Sequence, residues 1–466
     1  MNMPQPNTRP PAPSPVEGST PSKADGFARP YVISWNLTYR CNLACEHCYL
    51  DAGGSPQVET ENFADRSELD TEECFRVIDE IAGFAPECLT ILTGGEPLLR
   101  RDILEIVTRA ADRGLWVVVG TNGVRITENV GRRLADAGAR GLSLSLDALD
   151  PDRHDRFRRV RGAWRNTVEG AGILTRAGLP FIVQTTAGSH NAGELEAIAD
   201  FAHDRLAAKV WNLYFLVPTG RGQFVSDMTP AQYDDVLASL YRIQKKYNGR
   251  MLVNAKCAPH YIKTVLEHND TDARIRIYSG GAGGCPAGTH YMGIRPNGDV
   301  TPCPYLPVFA GSLRSARLAD LWTSSELFTD IRRRASLGGR CGACEMNAHC
   351  GGCRARAFGM TGDLMAEDPL CTHTPGKFAG SSVLALRAPA EAGGLGARTI
   401  QYGPETPRTI EWDDDANARM KKVPVFVRGM VIRAVEESCR RNGISRVTTE
   451  ELERIRARMP TPKLFG

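Results

Sequence analysis

The residues best suited to chemistry are Cys41, Cys45 and Cys48, in the run Cys41-Asn42-Leu43-Ala44-Cys45-Glu46-His47-Cys48. Three and then two residues separate the thiols, so one tight loop can turn all three sulfurs toward a point. Soft thiolates suit iron–sulfur clusters or zinc. A structural zinc site wants four closed ligands, usually from paired Cys-x2-Cys knuckles, and no fourth cysteine lies nearby. Three sulfurs on a four-iron cluster leave one iron open to a non-protein ligand, and an open iron is a place for chemistry.

A second cysteine field begins at Cys257, in Lys256-Cys257-Ala258-Pro259-His260, and continues through Cys285, Cys303, Cys341, Cys344, Cys350, Cys353 and Cys371. Cys-x2-Cys occurs twice there, so a pair of zinc knuckles is one reading and further clusters are another. Cys74, Cys88 and Cys439 sit in apolar or helical settings and read as packing residues. The chain has 14 cysteines in 466 residues. Their clustering points to metal ligation in a reducing, cytoplasmic compartment rather than to disulfides.

Positioning these loops falls to a regular alternation. Strands are predicted at Tyr31–Leu37, Cys88–Leu92, Leu115–Val119, Gly141–Leu146, Phe181–Thr186 and Val210–Leu216. Asp70-Thr71-Glu72-Glu73 is a capping box opening a helix to about Gly83. Further helices are expected over Asp102–Arg113 and from about Glu128. Strands alternating with helices at this spacing imply parallel β/α units. Six units fit an α/β partial barrel, (β/α)6, with ligands at the carboxyl ends of the strands. Polar motifs fall just after the strands: Thr93-Gly94-Gly95-Glu96-Pro97, Thr121-Asn122-Gly123 and Ser143-Leu144-Ser145-Leu146-Asp147. Paired glycines permit close backbone approach, and Glu96 can accept hydrogen bonds from an ammonium. Each motif also has a plainer reading, as a turn or as a strand with one polar face. The run Arg156–Arg161 holds four arginines, which fits a solvated surface or a carboxylate-binding patch.

A net charge of +3 gives no case for nucleic acid as a bulk electrostatic partner. No run of about 18 apolar residues is present, so no membrane span is expected. Residues 1–28 read as a disordered Pro-rich arm, 29–225 as the barrel, 226–375 as the cysteine-rich domain and 376–408 as a Gly/Ala/Pro-rich linker. Residues 409–466 read as a helical module. One of its helices begins near Pro424 and stops at Gly443, and a second is opened by the capping box Thr448-Thr449-Glu450-Glu451. Two helices alone are marginal and should dock onto something.

The Cys-x3-Cys-x2-Cys loop, with His47 before its last cysteine, resembles the signature of the radical S-adenosylmethionine enzymes. In that family the open iron binds the amino and carboxylate groups of S-adenosylmethionine, and one electron yields a 5′-deoxyadenosyl radical. The resemblance implies that Gly94, Gly95 and Glu96 form the methionine-binding motif and that Asn122, Ser145 and Asp147 lie at the cofactor. Gln184 and Thr186 carry a weaker version of the same expectation. The second field resembles the SPASM extension, which holds up to two auxiliary four-iron clusters. By that resemblance Cys341, Cys344, Cys350 and Cys371 hold an outer cluster and Cys285, Cys303 and Cys353 an inner one. The fourth position of the inner cluster is open or filled by Cys257, for which the resemblance favours a site role. The family pattern usually has three residues where only Gly351 and Gly352 separate Cys350 from Cys353. Residues 412–459 resemble the carboxy-terminal module of the protochlorophyllide reductase B subunit.

Together these resemblances imply an oxidoreductase or lyase acting on a propionate side chain of an iron tetrapyrrole, by decarboxylation or removal, in haem-type biosynthesis. They imply a flavodoxin or ferredoxin as electron donor. Two other readings stay open: a peptide maturase like those of pyrroloquinoline quinone or mycofactocin precursors, and a non-catalytic zinc scaffold.

Overall fold

A computed structural model describes residues 29–53, 67–86, 88–225, 228–270, 284–381, 408–421, 423 and 425–458. The expected Pro-rich arm and most of the expected linker lie outside these residues, as does Pro424.

Seven parallel strands run in sequence order through one sheet: β1 (Val32–Asn36), β2 (Leu89–Thr93), β3 (Trp116–Gly120), β4 (Gly141–Ser145), β5 (Phe181–Ala187), β6 (Val210–Phe215) and β7 (Leu252–Lys256). The first six match the predicted strands to within a residue or two. The seventh lies in the region assigned from sequence to the cysteine-rich domain, yet it pairs in parallel with β6, from Val210↔Leu252 to Tyr214↔Lys256. On the other side of β1 the sheet gains β8 (Tyr291–Ile294, parallel to β1), then β9 (Asp299–Thr301) and β10 (Gly311–Ser312), both antiparallel. The second cysteine field is therefore built onto both margins of the barrel sheet. Strand order is linear, so the barrel is open.

The helices between strands start where the sequence says they should. In α1 (Thr71–Phe84), Asp70 accepts from the Glu73 amide at 2.8 Å and Glu73 accepts from the Asp70 amide at 3.0 Å, a complete capping box. Next come α2 (Ile103–Asp112) and α3 (Glu128–Asp136), the latter capped by Thr127. Asp150 caps α4 (Pro151–Arg158), whose Pro151 sits in the first turn, and α5 (Ala163–Arg176) follows. Ile78, Ile106, Leu134 and Leu174 from these helices share one apolar cluster with Val117, Leu142 and Val183 from the strands. That burial holds the sheet in place, so its loops start from fixed points.

The carboxy-terminal module has its own core. A two-stranded parallel ladder pairs Glu411–Trp412 with Arg446–Val447. Helices Asp414–Lys421, Val425–Arg441 and Thr449–Arg458 pack around Trp412, Ile432, Val435, Cys439, Leu452 and Ile455. The sequence reading anticipated the second and third of these helices. It missed the first helix and the ladder, because two-residue strands and an Asp-rich first turn carry no periodic signal.

Candidate active site and cysteine clusters

The tripod loop leaves β1 at Asn36, whose side-chain oxygen accepts from the Tyr49 phenol at 2.7 Å. Each sulfur has a nitrogen donor. Leu43 N–H reaches Cys41 Sγ at 3.4 Å, Ala52 N–H reaches Cys48 Sγ at 3.4 Å, and Arg158 Nη1 reaches Cys45 Sγ at 3.5 Å. Arg221 clamps the loop from behind. It donates to the carbonyls of Cys45 and Ala52 at 2.9 and 2.8 Å and to Asp51 Oδ1 at 2.6 Å. Sequence reasoning missed Arg221; the available signal was Gly220-Arg221-Gly222 following the sixth strand. Gly220, at φ +57°, lets the chain pass so close that a Cβ there would lie 2.5 Å from the Cys48 carbonyl.

The motif residues converge on this loop. Gly94 and Gly95 do approach a backbone closely, and it is that of Thr38 and Arg40: added Cβ atoms would lie 2.8 and 2.3 Å from those carbonyl oxygens. Glu96 is fully buried, and burial pushes its carboxyl up to about 6 against the hydrogen bonds it accepts. Thr121 Oγ1, Asn122 N–H and Leu98 N–H donate to its two oxygens at 2.9, 2.9 and 3.1 Å, which ties the first polar motif to the second. Asn122 Nδ2 donates to Asn42 Oδ1 at 2.9 Å, within the cysteine loop itself. Ser145 is half-buried, level with Gln184 across the β4–β5 pairing, and Thr186 lies two residues on along the same face. Asp147 is fully buried and engaged. It pairs with Arg158 at 2.5 Å and accepts from Thr186 N–H at 2.8 Å. Burial opposes its charge, yet the Arg158 guanidinium holds its carboxyl down at about 2. Of the four arginines in 156–161, Arg158 alone is buried; Arg156, Arg159 and Arg161 are exposed.

The second field divides into two groups. Cys285, Cys303 and Cys353 meet in one buried cluster, and the half-buried Cys257 packs against it. Cys257 follows β7 directly and holds a left-handed backbone at φ +58°. Cys341, Cys344, Cys350 and Cys371 line a separate, small cavity. Gly351 and Gly352, at φ +66° and +63°, make the turn that sends Cys350 to one group and Cys353 to the other. Amide N–H groups of Met346 and Gly352 reach Cys344 Sγ and Cys350 Sγ at 3.3 and 3.4 Å.

The donor chemistry fits metal clusters. Burial pushes the Cys41 thiol up to about 12 and raises Cys45 also, so thiolates there need a cationic metal beside them. A single zinc with bonds of about 2.3 Å holds its sulfurs about 3.8 Å apart. Among the described residues, the one trio of ligand atoms within 4.8 Å of one another is Cys344, Glu345 and His373, not three thiols.

Residues 35–202 match the Radical SAM superfamily, residues 285–353 the SPASM iron-sulfur cluster-binding domain, and residues 412–456 the proto-chlorophyllide reductase 57 kD subunit. The AdoMet-dependent heme synthase of Methanosarcina barkeri (strain Fusaro / DSM 804) is 37% identical over 353 residues, covering 75% of this chain and 98% of that protein. The pre-heme d1 synthase of Dinoroseobacter shibae (strain DSM 16493 / NCIMB 14021 / DFL 12) is 32% identical over 375 residues, covering 76% and 89%. In fold, Streptococcus suis SuiB bound to S-adenosylmethionine superposes with a TM-score of 0.60 at 17% identity, covering 74% of this chain and 78% of that one. With three cysteine groups on one open parallel sheet and these relatives, the chain belongs to the radical S-adenosylmethionine superfamily, in the SPASM-containing family of the AdoMet-dependent heme synthases.

Proposed function

We propose that this enzyme modifies a propionate side chain of an iron tetrapyrrole, by oxidative decarboxylation or side-chain removal, with S-adenosylmethionine as the radical source. The observation that carries the reading is the identity, above one third, to a heme synthase along almost that protein's whole length. The geometry supports it, because the inner cysteine group closes β7 and flanks the same sheet that presents the tripod.

Cys41, Cys45 and Cys48 would hold the S-adenosylmethionine cluster. Cys341, Cys344, Cys350 and Cys371 would hold the outer auxiliary cluster, and Cys285, Cys303 and Cys353, with Cys257 at the fourth position, the inner one. When bound, these groups supply the electron that cleaves the sulfonium to a 5′-deoxyadenosyl radical and accept the electron released as product forms. The chain's own part is to position and to exclude water. Arg158 places a positive charge on Cys45, and Glu96 locks the second and third strand-end loops together. Arg221 holds the cysteine loop shut from behind, and the buried motif residues keep the site dry. No helix among the described residues is long and apolar enough to cross a membrane. A small reducing protein such as flavodoxin or ferredoxin would supply electrons.

The test is product mass. Anaerobically reconstituted protein is mixed with S-adenosylmethionine, reductant and a panel of iron tetrapyrroles and precursor peptides. A tetrapyrrole lighter by carbon dioxide or by a side chain, formed alongside deoxyadenosine, is expected. Peptide cross-linking with unchanged tetrapyrroles would move the enzyme to the peptide-maturing branch. Cys45→Ala should abolish deoxyadenosine formation and keep the auxiliary iron.

A further inference from the structure

The two faces of the sheet are filled differently. In β5, Phe181, Val183, Thr185 and Ala187 are buried, while Ile182, Gln184 and Thr186 between them are only half-buried. The same alternation runs through β3 and β7. Buried residues face the helices, so the half-buried ones face the barrel interior.

Three tyrosines cross that interior from one cysteine group to another. Tyr49 follows Cys48 directly, and its ring centroid lies 4.6 Å from that of Tyr305, two residues after Cys303. Tyr305 lies 6.2 Å from Tyr214. Tyr214 sits on β6 opposite Lys256, the residue before Cys257. All three keep part of their surface open. The three rings, on separate stretches of the chain, stand side by side with ring surface left uncovered. The phenol of Tyr49 is spent on Asn36. No hydrogen bond among the described residues engages those of Tyr214 and Tyr305. Arg295, almost fully buried just after β8, brings a positive charge to the same region.

We propose that the rings of Tyr305 and Tyr214 seat a planar, carboxylate-bearing macrocycle between the sulfur tripod and the inner cysteine group. Aromatic faces pair well with a flat conjugated ring. The two open phenols can donate to carboxylates on its rim, and the field of Arg295 favours an anion there. The inference deepens the tetrapyrrole reading and rests on it.

The probe is iron(III) coproporphyrin III, titrated anaerobically into the reconstituted full-length protein and followed by the shift of its Soret band. Tyr305→Leu should weaken binding by about tenfold, and Tyr305→Phe, which keeps the ring and loses only the phenol donor, should weaken it less. Wild-type affinity in Tyr305→Leu at wild-type iron content would overturn the seat. Should that variant lose iron, Tyr214→Leu serves in its place with the same expectation. Failure of the wild-type protein to bind any iron tetrapyrrole would instead overturn the proposed function.

Discussion

Arg158 Nη1 donates to Cys45 Sγ at 3.5 Å while Nη2 of the same guanidinium lies 2.5 Å from Asp147 Oδ2. Asp147 is held in turn by Thr186 N–H and by Asn191, which donates to its carbonyl at 2.8 Å. The arginine therefore cannot swing away, and its charge is fixed against one thiolate of the tripod. A fixed cation stabilises the more negative, reduced form of whatever cluster that thiolate ligates.

Removing the cation should lower the cluster's midpoint potential. Arg158→Met alone would leave Asp147 buried without its counter-ion, at a cost of about 3–5 kcal/mol. The double variant Arg158→Met/Asp147→Asn avoids the buried unpaired carboxylate, so the shift it shows is the lost Arg158 hydrogen bond and charge at Cys45, less the smaller effect of the more distant Asp147 charge. Redox titration followed by electron paramagnetic resonance should show a potential more negative by tens of millivolts, in the range of one charge-assisted hydrogen bond. An unchanged potential would assign Arg158 to loop packing only.

Asp368 joins the two auxiliary groups. Its Oδ2 accepts from Cys353 N–H at 2.8 Å and from Arg356 Nη1 at 3.1 Å, and its carbonyl accepts from Cys371 N–H at 3.1 Å. Arg356 in turn donates to the Cys257 carbonyl at 3.0 Å. Asp368 and Arg356 are both fully buried. Asp368→Ala should cost about 3–5 kcal/mol, because Arg356 is left charged and unpaired. Asp368→Ala/Arg356→Met should recover part of that loss. Thermal unfolding of the four proteins in the cycle checks this; purely additive losses would rule out the pairing as the source.

Much of this architecture was legible in the chain. Asp70 and Glu73 announce α1 by local chemistry alone, and the strands appear as short apolar runs at even spacing. The cysteine division was legible only through resemblance, since no spacing rule says that Cys350 and Cys353, two glycines apart, point to different groups. Tertiary contacts stayed hidden for a physical reason. Arg158 and its exposed neighbours are the same residue type in one run, and only the fold decides which meets Cys45. Tyr49, Tyr214 and Tyr305 lie far apart in sequence, and no periodic pattern links them. The loop role of Arg221 depends on contacts about 170 residues away.

Gly352 should tolerate no side chain. At φ +63° a Cβ would lie 2.8 Å from Asp368 Cβ and 3.1 Å from Cys341 Sγ. Left-handed backbone costs an L-residue about 1–2 kcal/mol before any clash. The clash would displace Cys341, whose sulfur belongs to the outer group. Gly352→Ala should therefore lose about a third of the bound iron, one cluster of three, and keep S-adenosylmethionine cleavage. Iron and sulfide analysis beside deoxyadenosine yield measures both. Full iron retention would show that the turn has room to adjust.

Glu73 gives a pH prediction away from the metal loops. Arg314 donates to its two oxygens at 2.8 and 3.1 Å, and this holds the carboxyl below its ordinary value, with the Asp70 amide adding to the effect. A carboxyl depressed in the folded state adds stability above its unfolded value of about 4.3, and that stability is lost as pH falls through the folded value. Glu73→Gln keeps an acceptor for the helix cap and removes only the charge. The pair is partly exposed, so the loss at neutral pH should be about 0.5 kcal/mol. The difference between wild type and variant should stay flat from pH 8 to pH 5, because both limits lie above the titration. Thermal unfolding across that range tests it: a gap that shrinks steadily toward pH 5 would mean that some other group, with a higher pKa, carries the interaction.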